Sequence, residues 1–394
     1  MSMSRSLSGM TAGFLLAALL LLAACGGGGG GSGGGSSTPV VYTGSTNPAV
    51  VTTTNASKLT ANVNGSDDAA NIIVGVSAES SNATQDRGSG LTDLTRRLSR
   101  DFRDIAVRAK RGATTQQVAP GVLVPVNETE LCDNGVGSVN TTGSIDDMTG
   151  TGTLAVTFNN CLLDGVTFNG PTTLRVDAFD LVNLIPTDLT ISFARLTLRG
   201  SGLSVDAGGS LRARLNIGFK TETITANLVS LNNNTAEISK TENLVFVNVY
   251  DDISFPTSFT ATISGQVFDP VHGYVVITTP TLLVFGTLSQ LFPDSGQLLL
   301  TGTNSTVLVT ALNSTMVELQ LDLDGVGGVD NTARLKWTDL TGPVGADLGD
   351  TDGDGMHNSW ETVNGLDPLV DDAAGDKDLD FITNINEYLA GTNP

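Results

Sequence analysis

Twelve residues near the carboxyl end, Asp350 to Glu361, place oxygen donors at intervals that would close around a point. Carboxylates stand at positions 1, 3 and 5 (Asp350, Asp352 and Asp354), the Met356 carbonyl at 7, Asn358 at 9 and Glu361 at 12. Such a set suits Ca2+, a hard cation that takes six to eight oxygens. Gly355 at position 6 allows the left-handed turn that reverses the chain. Glu361 would then close the shell with both oxygens, from the first turn of a following helix. A second set follows, comprising Asp376, Asp378, Asp380, the Ile382 carbonyl, Asn384 and Glu387. Here Phe381 stands where glycine is expected, and forcing a bulky residue to positive φ costs about 1–2 kcal/mol. A weaker site or a different turn is the expectation. The stretch Asp322 to Asp330 reads as a hairpin turn, because Val326 replaces a ligand.

The first loop fits the EF-hand pattern position by position. As a pair, the loops resemble the DxDxDG units, related to thrombospondin type 3 repeats and EF-hands, that end many secreted bacterial proteins. The resemblance implies a calcium-binding module over residues 346–394, used as a cap or spacer with Ca2+ as cofactor. It leaves the activity of the preceding chain open. Charge supports the binding claim independently. From Asp347 onward ten Asp and two Glu oppose one Lys, so −11 of the net −21 lies in the last 48 of 394 residues. Carboxylates crowded without a cation raise one another's pKa values and destabilise the compact state. Trp360 and Tyr388 are available for a small core, and Asn364-Gly365 marks a helix stop.

At the other end, Arg5 precedes an apolar stretch, Phe14 to Leu22, too short for a mature membrane span. Leu22-Ala23-Ala24-Cys25 resembles the lipobox of bacterial lipoproteins. That implies a signal peptide over residues 1–24, a lipid on Cys25 and a place in the bacterial cell envelope. Gly26 after the cysteine favours the outer membrane by the same resemblance. The membrane is then a partner through the anchor. Gly26 to Ser37 is almost pure Gly and Ser, a flexible tether (residues 25–37) of about 20 Å. Tyr42 to Val51 resembles the start of uncharacterised bacterial lipoproteins that read YTGxTxPA.

Residues 38–117 form a mixed, helical region. Its clearest element is Leu91 to Arg111, where Leu91, Leu94, Leu98, Phe102, Ile105 and Ala109 recur at helical spacing. Arg96, Arg97, Arg100, Arg103, Arg108, Lys110 and Arg111 occupy the rest of the surface. The helix reads as packed on a sheet, its cations solvated or paired with carboxylates, rather than as a membrane-surface helix. Over residues 118–340 the apolar period changes to two. Leu154, Val156 and Phe158 alternate with Ala and Thr, and Leu211, Ala213, Leu215, Ile217 and Phe219 alternate with Arg and Asn. Asn169-Gly170, Asp164-Gly165, Gly208-Gly209, Asn232-Asn233-Asn234 and Pro293-Asp294-Ser295-Gly296 read as turns between short strands. The expected class is mainly β: an antiparallel curved sheet, sandwich or open barrel, with an N-terminal helical region and a small EF-hand-like module. Cys132 and Cys161 are expected to pair in an oxidising compartment, with two buried free thiols as the alternative.

The net charge of −21 argues against nucleic acid as a partner. His272 and His357 are the only histidines, and neither belongs to HExxH or a Ser–His–Asp pattern. The one GxSxG match, Gly30 to Gly34, lies in the tether. Glycoside hydrolysis needs only two carboxylates. Asp177 with Asp180, or Asp251 with Asp252, would serve, but these read as exposed strand and turn residues. The expectation is therefore no enzyme. The leading reading is a calcium-binding, lipid-anchored envelope protein with a structural or interaction role. The alternative is a β-sheet module for an apolar ligand, lipid or glycan.

Overall fold

The computed structural model describes residues 38–64, 102–112, 121–163, 165–200, 203–253, 256–288, 290, 292–341 and 346–394. Cys25, the Gly/Ser tether, Leu91, Leu94 and Leu98 lie outside them. The period-two pattern builds fourteen strands: β1 (Leu123–Leu131), β2 (Ser138–Asp146), β3 (Gly152–Leu163), β4 (Val166–Asp180), β5 (Ile185–Gly200), β6 (Leu203–Asn216) and β7 (Thr221–Asn232). Then come β8 (Ile238–Tyr250), β9 (Phe259–Asp269), β10 (Gly273–Phe285), β11 (Ser295–Thr301), β12 (Thr306–Ala311), β13 (Met316–Asp322) and β14 (Asn331–Lys336). Each pairs antiparallel with its sequence neighbours in one open sheet, ordered β1 to β14, rather than in the two sheets of a sandwich.

Alternation decides which face is buried, since successive side chains point to opposite sides. Along β7 the side chains Ile224, Ala226 and Leu228 are buried while Thr223, Thr225 and Asn227 are half-exposed. Two helices join the core made by the buried face: α1 (Ala56–Asn64) with Ala56, Leu59, Ala61 and Val63, and α2 (residues 102–112) with Phe102, Ile105, Ala106 and Ala109. The Phe102 ring meets Phe158 of β3 edge-on at 5.8 Å, and Phe158 lies 5.6 Å from Phe168 of β4. Cations of α2 pair with the acidic sheet. Arg103 reaches Glu222 at 2.8 Å, Arg108 reaches Glu130 at 3.1 Å, and the Lys110 ammonium donates to the Asp147 carbonyl. Among the described residues, α2 therefore behaves as a sheet-packed helix. No helix among them is long and apolar enough to cross a membrane.

Two expected turns are not turns. Asn169-Gly170 lies inside β4 and Gly208-Gly209 inside β6, so these strands run 15 and 14 residues. Glycine inside a strand marks a bend or a close approach as often as a chain reversal. Gly209 has φ 131, and a Cβ there would meet the Asn227 carbonyl oxygen at 2.1 Å. Phe219, read as a strand residue, instead sits exposed in the β6–β7 turn.

Residues 38–51 run across several strands. The Tyr42 hydroxyl donates to the Asp269 carbonyl at 3.0 Å, and the Ala49 N–H donates to the Tyr274 carbonyl at 2.8 Å. The Val51 N–H donates to Ser305 Oγ at 2.9 Å. The YTGxTxPA segment is thus a clip onto the β9–β10 and β11–β12 ends. Cys132 and Cys161 are disulfide-bonded, with Cα atoms 5.4 Å apart and a sequence separation of 29. Closing a loop of that length stabilises the fold by roughly 3–4 kcal/mol in the chain-entropy model.

Candidate metal centre

The carboxyl-terminal segment is two turns of one design, offset by 26 residues from Asp350 to Asp376. Each loop leads into a seven-residue helix, α3 (Asn358–Asn364) or α4 (Asn384–Ala390), stopped by a left-handed glycine, Gly365 at φ 71 or Gly391 at φ 72. The backbone bonds repeat. Asn358 N–H donates to the Gly349 carbonyl and Asn384 N–H to the Gly375 carbonyl, both at 2.8 Å. Gly355 N–H donates to Asp350 at 3.0 Å, and Phe381 N–H to Asp376 at 2.9 Å.

The second loop keeps the turn of the first despite its sequence. Gly353 and Gly355 have φ 79 and 92; their counterparts Leu379 and Phe381 have φ 65 and 75. The turn does not change, so the strain stays in the loop. Phe381 is 98% exposed and packs on nothing that would offset it. Phe381→Gly should tighten cation binding at the second loop a few-fold, relieving about 1 kcal/mol of left-handed strain net of glycine's greater unfolded-state freedom. Calorimetric titration of the variant against the parent chain checks this. An unchanged or weaker second site would count against it.

Within the first loop, Asp350, Asp352 and Asp354 bring carboxylate oxygens within 4.8 Å of one another. Local backbone N–H groups hold both oxygens of Asp350 and the Oδ1 atoms of Asp352 and Asp354. Asp350 accepts from Gly353, Asp354 and Gly355, and Asp354 Oδ1 accepts from Met356. That leaves Asp352 Oδ2 and Asp354 Oδ2 buried without a hydrogen-bond partner. Glu361 completes the set from α3. It is 0% exposed, and neither carboxylate oxygen has a partner. Burial, with Asp354, Asp352, Asp372 and Asp350 close by, pushes its carboxyl up to about 7.

The second loop gathers Asp376, Asp378 and Asp380 within the same 4.8 Å. Glu387 from α4 is buried, with Oε2 unpartnered. Burial first, and then Asp378 and Asp380, raise its pKa.

Not every expected donor faces the centre. The Asn358 amide oxygen accepts from Thr351 N–H at 3.0 Å while its nitrogen donates to Asp347 at 3.2 Å. Asn384 does the same, accepting from Lys377 N–H at 3.2 Å and donating to the Asp372 carbonyl at 2.9 Å. Both asparagines brace the loop mouth in this arrangement. The Met356 side chain is fully buried beneath the first loop, whereas Ile382 is largely exposed. The sequence reading passed over Asp372, whose carboxylate stands within 4.8 Å of Asp354 and Glu361. No spacing marks it, since the equivalent position four residues ahead of the first loop is Ala346.

The module packs directly on the body. Tyr388 Oη accepts the Arg334 N–H of β14 at 2.9 Å, and Ser57 Oγ of α1 donates to the Ala346 carbonyl at 2.9 Å. Tyr388 also meets Trp360 at 5.2 Å and His357 at 5.4 Å, both edge-on, forming the small core expected from the sequence. His357 caps α3, its Nδ1 accepting from Trp360 N–H, and burial pushes its pKa down to about 4.

The other acidic groups have local tasks. Asp322, Asp324 and Asp330 accept from Gly325, Val326 and Leu323 N–H groups in the β13–β14 turn. Asp180 caps the β4–β5 turn, and Asp251 accepts from the Thr257 hydroxyl and from the Thr257, Ser258 and Asp252 N–H groups, which hold its carboxyl well below the usual range. Asp177 pairs with Arg175 at 2.9 Å. His272 lies in the β9–β10 turn beside the Asn55 amide, 3.5 Å away.

Comparison of the chain with protein-family models, with curated proteins and with solved structures finds no match.

Proposed function

We propose that this chain is a calcium-binding protein of the bacterial cell envelope, held to the outer membrane by lipid on Cys25, with a structural or interaction role. One observation carries the calcium reading: Glu361, fully buried, presents two unpartnered oxygens to a ring of aspartates. A buried carboxylate without a donor is costly. A divalent cation at that point would satisfy Glu361 and the unpartnered Oδ2 atoms of Asp352 and Asp354 together, with Asp350 beside them. The oxygen-only donor set and the twelve-residue spacing favour Ca2+ over softer metals. The second loop offers a like set in Asp376, Asp378, Asp380 and Glu387.

The test is calorimetric titration of Ca2+ into the full chain at several pH values. Without the ion, Glu361 holds its proton more tightly in the fold than in the unfolded chain. The ion-free module should therefore lose stability as pH rises from about 4.5 toward 7. Calcium displaces that proton, so apparent affinity should climb by up to about tenfold per pH unit across the same window and level off above it. Absence of binding heat at pH 8 would sink the proposal.

A further inference from the structure

We infer that Asp372, in the segment leading to the second loop, is a carboxylate ligand of the cation in the first, and that through it the two loops fill cooperatively. The inference rests on the calcium reading above and extends it to a residue outside the twelve-residue pattern.

Three observations converge. The Asp372 carboxylate lies within 4.8 Å of both Asp354 and Glu361. Its Oδ1 is buried with no hydrogen-bond partner, and so are both oxygens of the fully buried Glu361 beside it. The donor expected at position 9, Asn358, is occupied by Thr351 N–H and Asp347. The first loop thus lacks an oxygen where its pattern calls for one, and Asp372 supplies one across the module. Five carboxylates then face the ion: Asp350, Asp352, Asp354, Glu361 and Asp372. Extra ligand charge is one of the ways such loops tighten calcium binding.

The same residue builds the second loop. Its carbonyl accepts from Asn384 Nδ2 at 2.9 Å and from Gly375 N–H at 2.8 Å, and Asn384 in turn braces the Lys377 N–H. An ion that pins the Asp372 side chain in the first loop therefore fixes the backbone on which the second is strung. Coupling of this kind is reciprocal, so filling the second loop should tighten the first by the same factor.

The experiment uses the full chain with Ca2+ and with Tb3+, a luminescent stand-in excited through Trp360. The parent chain should bind two Ca2+ with a Hill slope above one. Asp372→Ala should lower first-site affinity on the order of tenfold or more and bring the slope to one or below. Asp372→Glu, which keeps the charge, should recover part of both. Hydration is read from Tb3+ lifetimes in H2O and D2O, in a background where Asp376→Asn and Glu387→Gln close the second loop. There Asp372→Ala should add about one bound water to the first-site ion. A loss of affinity without an added water overturns the ligand role, because a purely structural defect leaves the ion's hydration alone. Parent-like affinity and slope in Asp372→Ala overturn the inference while the calcium reading stands. A parent chain that binds no Ca2+ sinks both.

Discussion

Stripping divalent cations from the full chain should unfold residues 346–394 while the fourteen-stranded sheet stays folded. The module has little else to hold it. Its helices are seven residues each, well below the length at which a helix persists alone in water. Its buried side chains are few, Leu348, Met356, His357 and Tyr388 with the partly buried Trp360, and its last 48 residues carry a charge of −11. Each filled site adds about 2.7 kcal/mol at a free calcium concentration a hundred times its dissociation constant. Removing two such contributions exceeds what these few side chains and the hydrogen bonds to Arg334, Ser57 and Thr53 can replace. Hydrogen exchange is the direct measurement. Amides of Gly355 and Phe381, bonded to Asp350 and Asp376, should lose protection on chelation, while those of β4 to β8 should not. Equal protection with and without chelator would show that the loops stand without an ion.

Phe158→Ala should have the complementary effect, costing the sheet about 3–5 kcal/mol and leaving calcium binding unchanged. Phe158 is one of the largest fully buried side chains, and its ring lies between Phe102 of α2 and Phe168 of β4. Truncation opens a cavity at the junction of helix and sheet, on strands far along the sheet order from β14, where the module docks. A lower denaturation midpoint with unchanged calcium affinity is the expected pair of results. A shift in affinity would mean that strain travels across the eleven strand pairings from β3 to β14.

Period and spacing made much of this molecule legible. The alternation through Leu154, Val156 and Phe158, or Leu211 and Ala213, identified the buried face correctly because strand geometry allows only two sides. The same alternation says nothing about neighbours, so one open sheet could not be told from a sandwich. Glycine misled at Asn169-Gly170 and Gly208-Gly209, since a bend within a long strand and a reversal between short ones use the same residue. At the candidate site the three aspartates of each loop lie together, and Glu361 lies beside Asp354. Asn358 and Asn384 brace the loop mouths instead, because an amide serves a loop's own backbone as readily as an ion. Asp372 was invisible for a different reason: its neighbours Asp354 and Glu361 are brought to it by the fold, not by spacing.

The order in which the chain can assemble follows from the strand sequence. Every strand finds its partner in the stretch made just before it, so pairing can advance from the amino end without a long search. Residues 38–51 are the exception. Their hydrogen bonds span 227 residues from Tyr42 to Asp269 and 254 from Val51 to Ser305. The first part of the described chain to be synthesised must therefore wait, loose, until most of the sheet exists before it is clasped.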